Sequence, residues 1–166
     1  MILSMDEWIF DIDLQETIRY SEQESKDHCT CAYCRNFYEG IDHFYPNLRG
    51  FLDQFGVSIE APEQQFPYDF LREMYYDSIY AVCGTILQKG SCPLELDSVI
   101  IQPLSADEEG PHVSLYPYFY LDVSTVKLPW LLDEPLQDTI SPANDALFLD
   151  KMQARLLEKA DTTPIQ

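Results

Sequence analysis

Three cysteines occur within six residues of the chain, at Cys29, Cys31 and Cys34. This spacing constrains the local fold strongly, because sulfur atoms so close together either converge on one metal ion or are buried as small apolar groups. A disulfide framework is disfavoured, since the chain has five cysteines, an odd number. We therefore predict free or metal-bound thiols, with a loop and a helix start holding a structural Zn²⁺.

A structural zinc site has four ligands in a tetrahedron, so the three cysteines need a fourth partner. His28 directly precedes Cys29, and two adjacent residues are strained when they bind one ion. His43 lies more than ~10 Å beyond the cluster if the intervening chain is helical. Cys83 lies in a predicted strand, whereas Cys92 lies in a Gly-Ser-Cys-Pro turn that is free to approach. We predict Cys92 as the fourth ligand.

Other interpretations of the cluster remain open. The cysteines can be packing residues without a metal, because C-x-C-x-x-C lacks the two cysteine pairs of a usual zinc signature. A redox role of Cys31 and Cys34 would be expected with a thioredoxin-like βαβ pattern, which the sequence does not show. A catalytic zinc site would normally come with a His-Glu motif, and the sequence has none.

The charge of the chain points to its class of partner. With 29 acidic against 10 basic residues, the formal net charge is −19, which excludes a direct nucleic-acid binder. An apolar content of 46% is nevertheless too high for a disordered chain of 166 residues. The balance indicates a folded acidic protein that is attracted to basic proteins.

The start of the sequence does not resemble a signal peptide. Asp6 and Glu7 follow Met1 closely, with no positive segment and no long apolar stretch. No apolar run reaches the ~18 residues that a membrane span requires. We expect a soluble protein of the cytoplasm that does not bind membranes.

Hydrophobic periodicity predicts a mainly antiparallel sheet with two or three helices and a zinc-stapled loop, an α+β fold. We expect one acidic domain over residues 1–160 and a frayed tail over 161–166. The predicted elements are strands over 8–14, 75–87, 98–104 and 113–123, helices over 34–39, 46–55 and from Ser141 onward, a helical turn over 69–74, and a loop over 20–28.

One predicted strand suggests a binding surface. Tyr116, Tyr118 and Tyr120 share a face of the strand, and tyrosines are enriched at binding hot spots. A covering helix would instead bury these rings, and both arrangements remain open. If the rings are exposed, they and the preceding acidic turn of Asp107, Glu108 and Glu109 would form a surface for a basic partner.

Two segments resemble a known group of proteins. Residues 29–37, Cys-Thr-Cys-Ala-Tyr-Cys-Arg-Asn-Phe, and residues 128–135, Leu-Pro-Trp-Leu-Leu-Asp-Glu-Pro, are similar to motifs of small, mostly uncharacterised bacterial and phage-borne proteins. Their signature is C-x-C-x-x-C-x-N followed by an aromatic residue. The resemblance implies a zinc-containing anti-CRISPR protein that inhibits a type II RNA-guided nuclease in the cytoplasm of a bacterial host.

We predict from these observations a non-enzymatic inhibitor that binds a basic, nucleic-acid-handling protein and blocks its loading with nucleic acid. The basic channel of a type II CRISPR nuclease is one acceptor of this kind. Two alternatives share the acidity or the thiol cluster: an immunity protein that neutralises a bacterial toxin, and a small zinc-dependent enzyme.

Overall fold

A computed structural model describes residues 1–26, 28–70, 73–106 and 117–135. The chain divides into a compact unit, Met1–Glu134, and a second unit, Pro135–Gln166, of which only Pro135 is described. The predicted helix from Ser141 and the predicted tail over 161–166 therefore lie outside the described residues. The domain boundaries stay a prediction.

The first unit has the predicted α+β architecture, with a mainly antiparallel sheet. Within the described residues, three helices accompany the sheet: α1 (Leu14–Ser25), α2 (Ala32–Phe44) and α3 (Leu48–Asp53). The same residues contain seven strands: β1 (Ile2–Met5), β2 (Trp8–Ile12), β3 (Gln64–Phe70), β4 (Glu73–Gln88), β5 (Leu94–Leu96), β6 (Val99–Ser105) and β7 (Tyr118–Leu128). The strand order is β1-β2-β4-β7-β6-β5, and β3 also pairs with β4.

The 16-residue strand β4 organises the sheet, because it pairs with β2, β3 and β7. The predicted helical turn over 69–74 is wrong. On either side of residues 71–72, Asp69 pairs with Met74 and Phe70 with Glu73, so β3 and β4 are adjacent antiparallel strands. The long-range ladder along β4 overrides the local preference of this short segment.

Gly84 permits the close approach of β2 to β4. Its φ is +146°, and a Cβ atom at this position would lie 2.1 Å from the Asp11 carbonyl oxygen. A glycine inside a strand is typical of a bulge or of a close backbone approach, and at Gly84 the structure shows the close approach.

The main core lies between one face of the sheet and the helices α2 and α3. Phe10 stands at its centre, with ring centroids 5.3 Å from both Phe55 and Phe119. The helix predicted over 46–55 is confirmed as α3, and its stripe of Leu48 and Leu52 is buried. Burial of each such side chain stabilises the fold by about 1.5–3 kcal/mol.

Helix α1 packs on the other face, and the loop predicted over 20–28 is wrong up to Ser25. Asp13 caps the helix, since its carboxylate accepts the backbone N–H of Glu16 at 3.0 Å. Thr17, Tyr20 and Ser21 are the buried stripe of an otherwise polar helix. That sparse stripe explains why hydrophobic periodicity misses the helix.

The strand predicted over 98–104 is confirmed as β6. The strand predicted over 8–14 is confirmed only as far as Ile12, because Asp13 caps α1 and Leu14 begins it. The strand predicted over 113–123 is displaced, because β7 covers Tyr118–Leu128 and residues 113–116 lie outside the described part of the chain. Among the described helices, none has the length and apolar character to cross a membrane.

Candidate metal centre

The sulfur atoms of Cys29, Cys31 and Cys34 all lie within 4.8 Å of one another. Cys29 and Cys31 are exposed in the loop before α2, whereas Cys34 is buried in the first turn of the helix. Tetrahedral zinc with Zn–S bonds of 2.3 Å would place its sulfur ligands about 3.8 Å apart. Three ligands for a soft metal ion are therefore already assembled.

The local geometry of α2 explains why two of these sulfurs meet. Cys31 is the N-cap, and its carbonyl oxygen accepts the first helical hydrogen bond from the Arg35 N–H at 3.0 Å. Cys34 is three positions further on. Side chains at the N-cap and at the third helical position face each other, as they do in a capping box. The C-x-x-C spacing at a helix start therefore brings two sulfurs together.

The thiols influence one another's ionisation. A hydrogen bond from the Cys31 backbone N–H is the main reason that the pKa of Cys29 lies below its usual range. Burial, followed by the charge of Cys31, raises the pKa of Cys34. Three thiolates this close repel one another, and a bound divalent cation would offset the repulsion and favour their deprotonated form.

A buried asparagine connects the cysteine helix to the segment after β7. Asn36 is 0% exposed, and its Nδ2 donates to the Pro129 carbonyl oxygen and to the Tyr76 hydroxyl, each at 3.1 Å. Its Oδ1 accepts the Leu131 N–H at 2.7 Å. The Tyr76 hydroxyl in turn donates to the Tyr33 carbonyl oxygen at 2.8 Å. The two motif segments, 29–37 and 128–135, are therefore in contact.

Arg35 links the cysteine loop to the same segment. Its Nε donates to the Thr30 carbonyl oxygen at 2.9 Å, and its guanidinium pairs with both carboxylate oxygens of Glu134, one of them at 2.9 Å. This pairing holds the pKa of Glu134 below its usual range. Arg35 thus fixes the backbone between Cys29 and Cys31.

The helix predicted over 34–39 is longer in the structure, where α2 covers Ala32–Phe44 and Gly40 does not end it. The glycine is buried inside the helix instead. A Cβ atom there would lie 2.8 Å from the Leu131 Cδ1. The missing side chain allows Leu131 to approach the helix that carries the cysteines.

Cys92, the predicted fourth ligand, lies elsewhere in the structure. Its carbonyl oxygen accepts a hydrogen bond from Trp8 Nε1 at 2.8 Å, and Trp8 belongs to β2, which pairs with β4 close to Gln88. Tyr76, which contacts the cysteine helix, precedes Gln88 by twelve positions along β4. At about 3.3 Å per residue, the length of strand between Gln88 and Tyr76 is roughly 40 Å. The structure therefore does not bring Cys92 to the cluster.

Two other candidates are also remote. Cys83 is buried beneath α1, where its N–H donates to the Thr17 hydroxyl at 3.0 Å. His43 is nine residues after Cys34 on the continuous helix α2, a separation of about 14 Å. His28 remains, next to Cys29 in the chain.

The predicted tyrosine surface is only partly described. Tyr120 is 1% exposed and packs with Tyr20, Ala81 and Cys83, so its prediction as a partner-binding residue is wrong. Helix α1 covers this face, which is the covered arrangement left open by the sequence. Tyr118 is half-buried beside Tyr120. The remaining predicted partner-binding residues lie outside the described part of the chain: Asp107, Glu108, Glu109 and Tyr116.

Sequence reasoning missed the residues that support the cluster. Asn36, Arg35 and Glu134 were not predicted as parts of the site, although all three lie in the two motif segments. The available signal was the position of Asn36, two residues after the third cysteine and directly before the apolar Phe37. A polar residue beside a core residue in a helix can itself be buried.

No protein family matches this chain, and no curated protein or solved structure is similar to it. The resemblance in the two motif segments therefore stays a prediction, and the function is argued from the site alone.

Proposed function

We propose that Met1–Glu134 is a non-enzymatic, acidic binding domain whose cysteine cluster holds a structural Zn²⁺. It docks on a basic, nucleic-acid-handling protein in the bacterial cytoplasm and prevents that protein from loading nucleic acid. The observation that carries the proposal is the convergence of three free thiols on one point of a strongly acidic chain.

The donor set supports zinc. Thiolates are soft ligands, and tetrahedral sulfur-rich sites in proteins mostly hold zinc or iron–sulfur clusters. All five cysteines are free, which fits a reducing compartment. Asn36 and Arg35 tie the cluster to the segment after β7, so a metal there would stabilise a contact between distant parts of the chain. A structural role follows from that position.

The charge distribution supports a basic partner. Arg49 pairs with Asp42 at 2.9 Å and with Glu60 at 2.6 Å, and Lys127 pairs with Glu73 at 2.8 Å. Arg19 and Arg35 likewise pair with glutamates. These basic side chains are therefore paired with carboxylates of the same chain. The chain has 29 acidic and only 10 basic residues, so most carboxylates have no basic residue of the chain to balance them. The field of the excess carboxylates attracts a basic channel and speeds association at low salt.

The partner to test first is a type II RNA-guided nuclease, which the motif resemblance implies. Purified protein is added to the nuclease–guide complex, and binding of labelled target DNA is followed by fluorescence anisotropy. We expect DNA affinity to fall as the protein is added, and the inhibition to weaken between 50 and 300 mM salt because the charges are screened. Unchanged DNA affinity at a tenfold excess of protein would remove this nuclease as the partner.

A matched pair of variants separates charge from shape. Glu39 and Asp53 are exposed on α2 and α3. Replacing both with lysine changes the net charge from −19 to −15, whereas Glu39→Asp with Asp53→Glu keeps it at −19. We expect slower association with the partner for the lysine variant only. Equal association rates for the two variants would contradict an electrostatic mode of binding.

A further inference from the structure

His28 has the hydrogen bonding of a metal-binding histidine. Its Nδ1 lies 2.6 Å from the carbonyl oxygen of Ser25, at the end of α1. A carbonyl oxygen can only accept a hydrogen bond, so Nδ1 carries the proton. In the neutral ring, Nε2 then holds the free lone pair. Histidines that bind metals commonly donate their other ring N–H to a backbone carbonyl in this way, which fixes the tautomer.

The ring of His28 also lies on the correct side of the cysteine helix. It packs edge-on against Tyr38, with ring centroids 5.1 Å apart. Tyr38 follows Cys34 by four positions on α2, and side chains four apart share a helix face. His28 and Cys34 therefore border the same side chain.

We propose that His28 Nε2 is the fourth ligand of the cluster and completes a Cys₃His metal site. This inference rests on the proposed metal-binding function and names the ligand that closes the site. The ring nitrogens of His28 do not belong to the group of ligand atoms that lie within 4.8 Å of one another. Metal binding would therefore have to move the loop of residues 28 and 29, so that Nε2 comes closer to the three sulfurs. Both residues are exposed, and the loop can move without opening the core.

The other candidates cannot compete for this position. Cys83 lies in β4 beneath α1, and Cys92 lies in the turn after β4, beside Trp8. His43 lies about 14 Å from Cys34 along α2. His28 is the candidate adjacent to the cluster. With four protein ligands the ion has no open coordination position, as in structural zinc sites, and no substrate reaches it directly.

X-ray absorption of the wild-type zinc protein tests the ligand without any substitution. We expect three sulfur atoms at about 2.3 Å, one nitrogen at about 2.0–2.1 Å, and the outer-shell scattering of one imidazole ring. Three sulfurs with an oxygen ligand and no imidazole scattering would overturn the assignment of His28 but leave the cysteine site standing. Absence of zinc from wild-type protein would instead overturn the proposed function, and this inference with it.

The His28→Ala variant gives a second test, with His43→Ala as the matched control. Zinc affinity is measured by competition with a chromophoric chelator, and Co²⁺ reports the coordination through its visible spectrum. We expect His28→Ala to bind zinc more than ~100-fold more weakly, beyond the 10–100-fold typical of a lost outer-shell partner. His43→Ala should match wild type in affinity and spectrum. Wild-type affinity and an unchanged Co²⁺ spectrum for His28→Ala would refute the proposal.

Discussion

Replacing Asn36 with alanine should destabilise the contact between the two motif segments. The side chain is fully buried and makes three hydrogen bonds, to Tyr76, Pro129 and Leu131. A hydrogen bond of this kind contributes about 1 kcal/mol net, and a buried group left without a partner costs about 1–3 kcal/mol. Alanine restores roughly 0.6 kcal/mol through its higher helix propensity. We therefore expect a loss of about 3–5 kcal/mol.

The assay is urea-induced unfolding followed by far-ultraviolet circular dichroism, with zinc held in constant excess. In a thermal scan the same loss would lower the melting temperature by roughly 6–20 °C. Asn47→Ala is the matched control, because Asn47 is exposed and its side-chain amide donates a hydrogen bond of 2.8 Å to the exposed Asp97 carboxylate. It should cost less than about 1 kcal/mol. If Asn36→Ala costs no more than the control, Asn36 does not join the two segments as argued.

Two further predictions concern the backbone and the acidic surface. Gly84→Ala should destabilise the protein by more than about 3 kcal/mol, or prevent folding, because the new Cβ would collide with the Asp11 carbonyl oxygen. Gly50→Ala is the control. A Cβ at Gly50 would have no atom within 4 Å, so this variant should be neutral or stabilising. Equal melting temperatures for the two variants would contradict this. Hydrogen bonds from Arg49 hold the pKa of Glu60 below its usual range, so its stabilisation is present above about pH 4.3 and is lost as the pH falls through the lowered value. Glu60→Gln should therefore be less stable than wild type at pH 7, and the difference should shrink as the pH falls through the lowered pKa of Glu60. A difference that stays constant with pH would refute the contribution of the ion pair.

Local patterns predicted the elements whose signal is contained in a few residues. The alternation of Trp8, Phe10 and Ile12 identified β2, and the spacing of Leu48 and Leu52 identified α3. The cysteine cluster belongs to the same class, because helix-start geometry alone brings Cys31 and Cys34 together. In each case neighbouring residues contain the information that determines the contact.

Contacts between distant segments could not be predicted in this way. Asn36 is an ordinary polar residue in the sequence, and its role appears only when residues 129–131 lie against α2. The β3–β4 ladder and the extension of α2 past Gly40 depend likewise on packing across the fold. The Gly-Ser-Cys-Pro turn gives no local sign of where Cys92 lies. The pairing of β2 with β4 and the hydrogen bond from Trp8 hold it at the end of β4 that is remote from the cluster.

The metal ion that we propose at the cysteines should stabilise the fold. The most direct measurement is the zinc content of protein purified without chelator, by elemental analysis, together with its melting temperature. We expect about one zinc per chain in wild type and almost none in Cys31→Ser, with a markedly lower melting temperature in the variant because metal binding contributes to folding free energy. Wild-type protein that contains no metal, and that melts at the same temperature with and without chelator, would contradict the account.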